Sequence, residues 1–276
     1  MLGIFFAFLS SAFSELSDSI GKRETSERVY SHYSFGFLSV LGGALLLIIT
    51  GFIRDDFAFS LASLPTFLPR LVLEVLQAHV TIRAIVRADR SDFGHVRTLT
   101  IPLLLVADLI LGYGVGVPQM LGMGIIFCTV FFLLSYEHFK TRGLFLLVFT
   151  AINAAVTISL FKYDITHFNS VESEQAIVSL VLVLYFFVLA VVRAHENPVH
   201  LLFKPAFFVQ AVSGGFGAVL NSYAYSFAPA SIITTASRAF SVLFAILSGR
   251  IYFKERGFVV KLLLFCAIAG GLLLLL

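Results

Sequence analysis

Apolar runs of about twenty residues, separated by short polar breaks, constrain this chain more than any other feature. A helix needs roughly 20 mostly apolar residues to cross a hydrocarbon core about 30 Å thick. Reading the runs between charged or turn-rich breaks predicts ten such helices, at about residues 2–20, 32–53, 66–86, 93–112, 118–136, 142–161, 173–193, 203–224, 229–249 and 257–276. The breaks, among them "GKRETSERVYSH", "VRADRSD", "KYDITHFNSVESEQ" and "YFKER", are too short to fold alone. Of the 276 residues, 59% are hydrophobic and 13% charged, with a mean hydropathy of +0.97. An ordinary soluble domain has about 25% charged residues. The chain therefore reads as an all-α, multi-pass protein of the cell membrane, the cytoplasmic membrane if it is bacterial. The lipid bilayer is its first expected partner.

Several function classes drop out at this stage. The formal net charge of +3 carries no nucleic-acid signal, because Lys and Arg in such a chain mark cytoplasmic loops. Cys128 and Cys266 lie in apolar runs without CxxC spacing, so they are expected to pack as buried small hydrophobes, with no metal site and no disulfide. The N-terminus lacks a basic region and a small-residue cleavage site, and it carries Glu15 and Asp18, so it reads as a retained first span. No GxSxG, HExxH or phosphate-cradling loop occurs, so the chain is not expected to be an enzyme, and no cofactor is implied.

Ten spans invite a search for duplication. Sliding the chain by 140 residues places "GIFFAFLSSAFSELSDSIGK" over "GLFLLVFTAINAAVTISLFK", matching Gly3 with Gly143 and Lys22 with Lys162. The same offset puts Ser91 on Ser231 and Leu103 on Leu243. Five spans per half would give the halves opposite orientations.

The segment "SYAYSFAPASIITTASRAFSVLFAILSGRIYFKER" resembles the ninth helix and following loop of EamA-like members of the drug/metabolite transporter superfamily. "LSDSIGKR" is similar to the end of their first helix, and "IRAIVRADRSDFGHVRTLTIPLLL" to their third-to-fourth helix connection. The resemblance implies ten transmembrane helices in two inverted five-helix repeats, residues 1–138 and 139–276, around a central cavity. It also implies gradient-driven transport of a small metabolite or drug-like solute by alternating access. The chain departs from the pattern at Ser14 and Glu15, and "YGVGVP" lacks the acidic-basic pair present as Glu255 and Arg256.

Ionisable groups within spans are costly and face the bundle interior or water. Ser11, Glu15, Asp18 and Lys22 follow one helical face of the first span, and Arg70, Glu74, Gln77 and Thr81 one face of the third. Thr150, Asn153 and Thr157 do the same in the sixth, Gln210, Gly214, Gly217, Asn221 and Tyr225 in the eighth, and Thr234, Arg238, Ser241 and Ser248 in the ninth. The candidate substrate or ion cavity is thus lined by Glu15, Asp18, Arg70, Glu74, Gln77, Asn153, Gln210, Asn221, Tyr225, Thr234, Arg238 and Ser241. Glu15 and Glu74 are the candidates for a proton-coupled switch, with Arg238 as counter-ion or anion anchor. Close helix packing is the simpler role for the Gly, Ser and Thr positions, and snorkelling for Lys22. Asp108 is expected at an interface, His79 in packing, and His95, His167, His195 and His200 outside the chemistry.

Expected partners are a small-molecule substrate and protons, with a homodimer left open. A membrane-embedded enzyme acting on lipid or isoprenoid substrates and a non-transporting scaffold or flippase subunit are the alternatives. The connections after odd-numbered spans hold 15 of the 19 basic residues, and those after even-numbered spans only Arg54 and Lys162. That asymmetry puts the odd connections in the cytoplasm and both termini outside.

Overall fold

The computed structural model describes residues 1–26, 30–87, 99–135, 144–252 and 258–275, and all its regular structure among these is helical. Ten helices are α1 (Leu2–Ser26), α2 (His32–Arg54), α3 (Leu64–Arg87), α4 (Thr100–Ile110), α5 (Val117–Ser135), α6 (Leu144–His167), α7 (Val171–Ala194), α8 (Pro205–Ala224), α9 (Ala230–Tyr252) and α10 (Phe258–Leu275). An eleventh, Pro198–Leu201, is a single turn before α8, and a 3₁₀ turn, Leu61–Ser63, leads into α3. Among the described residues, three helical stretches are long and apolar enough to cross a membrane: His32–Arg54, Val148–His167 and Val171–Ala194.

Local chemistry explains the ends that matter. Ser31 caps α2 by accepting from the Ser34 amide at 3.3 Å, and the Glu196 carboxylate beyond α7 takes the Ser31 amide at 2.8 Å. Asp55 and His195 end α2 and α7 in the left-handed conformation, at φ 52° and 56°. Polar residues tolerate that region better than β-branched ones.

α8 packs against α1 and α2, α3 against α6, α7 against α2, α9 against α1 and α4, and α10 against α5. Apolar clusters fill these seams, one around Met123, Ile126, Ile232 and Ile268, another around Phe37, Leu38, Phe186 and Phe207. The outward faces are apolar too, with Phe52, Ile110, Val192 and Phe203 among the most exposed side chains. Cys128 and Cys266 belong to that outer face, which corrects the expectation of buried thiols.

The apolar runs anticipate the helices, but α1, α6 and α7 extend beyond the predicted spans, α1 by six residues to Ser26. α6 continues six residues beyond 161 and α7 opens at Val171, so the long connection shrinks to residues 168–170. The reason is capping: the Ser170 side chain accepts from the Ser173 amide at 3.2 Å, and Glu172 and Glu174 occupy the first turn, where the helix dipole favours negative charge.

Candidate functional site

Those two helix ends meet the start of α3 in a buried, charged junction. Arg70, one and a half turns into α3, is 1% exposed, and its Nη1 donates to Glu174 Oε1 at 2.5 Å. Its Nη2 donates to Gln175 Oε1 at 2.7 Å and lies 3.8 Å from Glu74 Oε1. The guanidinium sits 4.6 Å from the Phe161 ring centre. Asn169, in the α6–α7 connection, donates to Glu174 Oε2 at 2.5 Å and to Ser63 Oγ at 3.0 Å, while its Oδ1 accepts from the Ser60 amide at 2.9 Å. Asp164, in the last turn of α6, accepts from Thr66 at 2.5 Å. Both Asp164 and Glu174 are 0% exposed. Beside them, Glu172 is held by Arg54 at 3.2 Å and by the Tyr223 hydroxyl at 2.6 Å.

Polar groups lead inward from this junction. Thr157, Tyr225 and Thr234 are buried on α6, at the end of α8 and on α9, and Glu74 and Arg238 are half-buried on α3 and α9. Tyr225 and Thr234 share a hydrogen bond of 3.0 Å across the α8–α9 turn, and Ser237 donates to Asn221 Oδ1 at 3.2 Å. One turn deeper on α3, Asn153 donates to Gln77 Oε1 at 2.8 Å and to the Leu73 carbonyl at 2.9 Å. The links are thus Glu174 to Arg70 and Arg70 to Glu74 at the junction, Asn153 to Gln77 between α6 and α3, and Tyr225 to Thr234 and Ser237 to Asn221 between α8 and α9.

A second buried polar group closes the same end of the bundle. Asp108 accepts from the Ser231 amide at 2.6 Å, capping the start of α9, and Lys162 Nζ donates to the Tyr225 carbonyl at 2.6 Å. Asp108 is 0% exposed, which corrects its assignment to an interface: a helix N-terminus offers the carboxylate a buried partner that composition cannot reveal.

The other predicted residues scatter. Glu15 is half-buried on α1 and accepts from Ser19 at 3.3 Å, while Asp18 is exposed. Gln210 is fully buried where α8 meets α2, donating to Ser39 at 3.3 Å. Ser241 is half-buried on α9. His79 packs against Tyr185 and hydrogen-bonds its hydroxyl, and His167, His195 and His200 are exposed. The side chains of Lys22, His95, Ser248, Glu255 and Arg256 lie outside the described residues.

Sequence reading missed Asp164, Asn169, Glu172 and Glu174, because they fall in "KYDITHFNSVESEQ", which reads as a polar break between spans. The signal was present in two forms. Asn153, Thr157, Phe161 and Asp164 continue the sixth span's stripe at helical spacing, and Asn169-Ser170 followed by Glu172 and Glu174 is a helix-start signature.

Comparison with known proteins gives the fold alone. Among solved structures, 26 chains match, and one, a crystal structure described simply as that of a protein, aligns over 99% of this chain and 94% of its own with a TM-score of 0.72 at 16% identity. No family model and no curated protein matches the sequence.

Proposed function

We propose that the chain is an integral membrane protein of ten spans that transports a small metabolite or drug-like solute along an ion or solute gradient, as the EamA-like resemblance implies. The observation that carries this reading is the set of buried ionisable and amide side chains, Arg70, Glu174, Asp164 and Asn153, bonded across α3, α6 and α7 inside a bundle whose outer face is apolar. Charges in such a setting are costly and mark solute or ion pathways. Helix pairing supports the duplicated architecture: α1 packs on α8 and α9 as α6 packs on α3 and α4, while α2 pairs with α7, α4 with α9 and α5 with α10. A two-fold axis relating residues 1–138 to 139–276 would produce such pairing. The basic-residue asymmetry supports cytoplasmic odd connections, which puts the Arg70 junction at the outer end.

The test is uptake from a metabolite pool into liposomes carrying the purified protein under an imposed gradient. Uptake is expected from the wild type, and Arg238→Lys, which keeps the charge but not the planar fork, is expected to assemble and lose it. Wild-type uptake by a stable Arg238→Leu, Glu74→Leu double variant would remove these residues from the pathway.

A further inference from the structure

Donor and acceptor counts around the Arg70 junction do not balance, and the shortfall falls on one residue. Glu174 is fully served: Arg70 Nη1 donates to Oε1 and Asn169 Nδ2 to Oε2, both at 2.5 Å. Asn169 spends its second amide hydrogen on Ser63. Asp164 is not served. The Thr66 hydroxyl, its neighbour at Oδ1, lies equally within reach of the Ser63 carbonyl at 2.8 Å and has a single hydrogen for the two acceptors. Asp164 Oδ2 is buried without a donor among the described residues, and Ser63 stands between the two carboxyls: its carbonyl takes the Thr66 hydroxyl that reaches Asp164, and its hydroxyl takes the Asn169 amide that reaches Glu174. Two ionised carboxylates buried at one junction repel, and the guanidinium there is bonded to Glu174.

We propose that Asp164 holds an exchangeable proton, which it shares with Glu174, and that this pair is the coupling-proton site of the transporter. The site deepens the transport reading and rests on it for the word coupling. With the proton on Oδ2, Asp164 donates to Glu174, Oδ1 becomes a neutral acceptor that Thr66 can release to the Ser63 carbonyl without stranding a charge, and the pair carries one negative charge against the one positive charge of Arg70. When the proton leaves to solvent, the pair carries two negative charges against that one cation. The other charged groups around it are Glu74 on α3, His167 on α6, exposed and one turn beyond Asp164, and Glu172 on α7, already held by Arg54 and Tyr223. Glu15, a sequence candidate for this role, stands on α1 with Ser19, and Glu74 is a quarter exposed.

Infrared spectroscopy of the purified full chain tests the site without knowledge of the solute, because a protonated carboxyl has a carbonyl band that an ionised one lacks. At neutral pH the wild type is expected to show one such band, moved by exchange into heavy water. Asp164→Asn, which keeps the shape and donates an N–H to Glu174, is expected to abolish it. Thr66→Val, which removes the neighbour at Oδ1, is expected to shift it, and Glu15→Gln and Glu74→Gln to leave it in place. No band at neutral pH, or a band that Thr66→Val does not move, overturns the proposal even if Asp164→Asn does not fold. The band in a protein without gradient-driven uptake would leave the proton site standing and remove the transport reading. Gradient-driven uptake without the band would do the reverse.

Discussion

The seam that α8 makes with α1 and α2 and the one that α3 makes with α6 and α7 correspond in the proposed two-fold arrangement, yet they are built from different chemistry. On the α8 side, backbones touch. A Cβ on Gly42 would stand 1.8 Å from the Ala211 carbonyl oxygen, one on Gly215 2.5 Å from the Gly42 backbone, and one on Gly217 2.6 Å from Ser14 Oγ. Gln210 apart, the polar contacts there are made by short hydroxyls bonded to main chain, Ser10 to the Gly217 carbonyl at 2.8 Å and Ser17 to the Gln210 carbonyl at 3.1 Å. On the α3 side, long ionisable and amide side chains hold the helices apart and bond to one another. Small residues bring membrane helices together, whereas buried ions are kept at a cost in stability.

Substitutions separate the two. Arg70→Met strands Glu174 as a buried, uncompensated carboxylate and is expected to cost about 3–5 kcal/mol, read from the unfolding midpoint in detergent. Adding Glu174→Gln should recover most of that loss, and additive losses would show that the pair does not interact. Gly42→Ala, on the other seam, is expected to cost about 1–3 kcal/mol by overpacking, while Gly124→Ala, where a Cβ meets nothing within 4 Å, should be neutral or slightly stabilising in the same assay. Equal melting of the two glycine variants would refute the backbone contact. Asn153→Leu leaves the Leu73 carbonyl and Gln77 Oε1 without their donor, at an expected cost of about 1–2 kcal/mol in denaturant titrations. The smallest effect belongs to Ser10→Ala, about 0.6 kcal/mol, the usual size of an interhelical hydroxyl bond between such helices. A Ser10→Ala loss larger than that of Asn153→Leu would invert the contrast between the seams.

Helix number and order were legible because the apolar runs are long and their breaks charged. Arg70, Glu74, Gln77 and Asn153 were legible as well, since each lies on a stripe with helical period and the structure joins them across α3 and α6. The partners of Arg70 were harder to read. Charged residues between apolar runs look like solvated loop, and Asp164 and Glu174 acquire their burial only when α3 is laid over the α6–α7 turn. Arg238 drew attention because it interrupts an apolar run, whereas the guanidinium with a carboxylate at 2.5 Å is Arg70, near a helix start where a charge is unremarkable in sequence. Asp108 was hidden for a related reason: its partner is a main-chain amide, which every residue possesses.

The three residues between α6 and α7 also set mechanical limits. A chain of three residues reaches roughly 10 Å when fully extended, about one helix diameter, so at this corner the two helices are tethered side by side. The α2–α3 linker is laced to the same turn, with the Ser170 amide and the Ser173 hydroxyl donating to the Ala58 carbonyl, the Ser170 hydroxyl to the Asp56 carbonyl, and the Ser60 amide to Asn169. Any displacement at this corner would therefore have to carry α6, α7 and the laced linker together, because parting them breaks four hydrogen bonds.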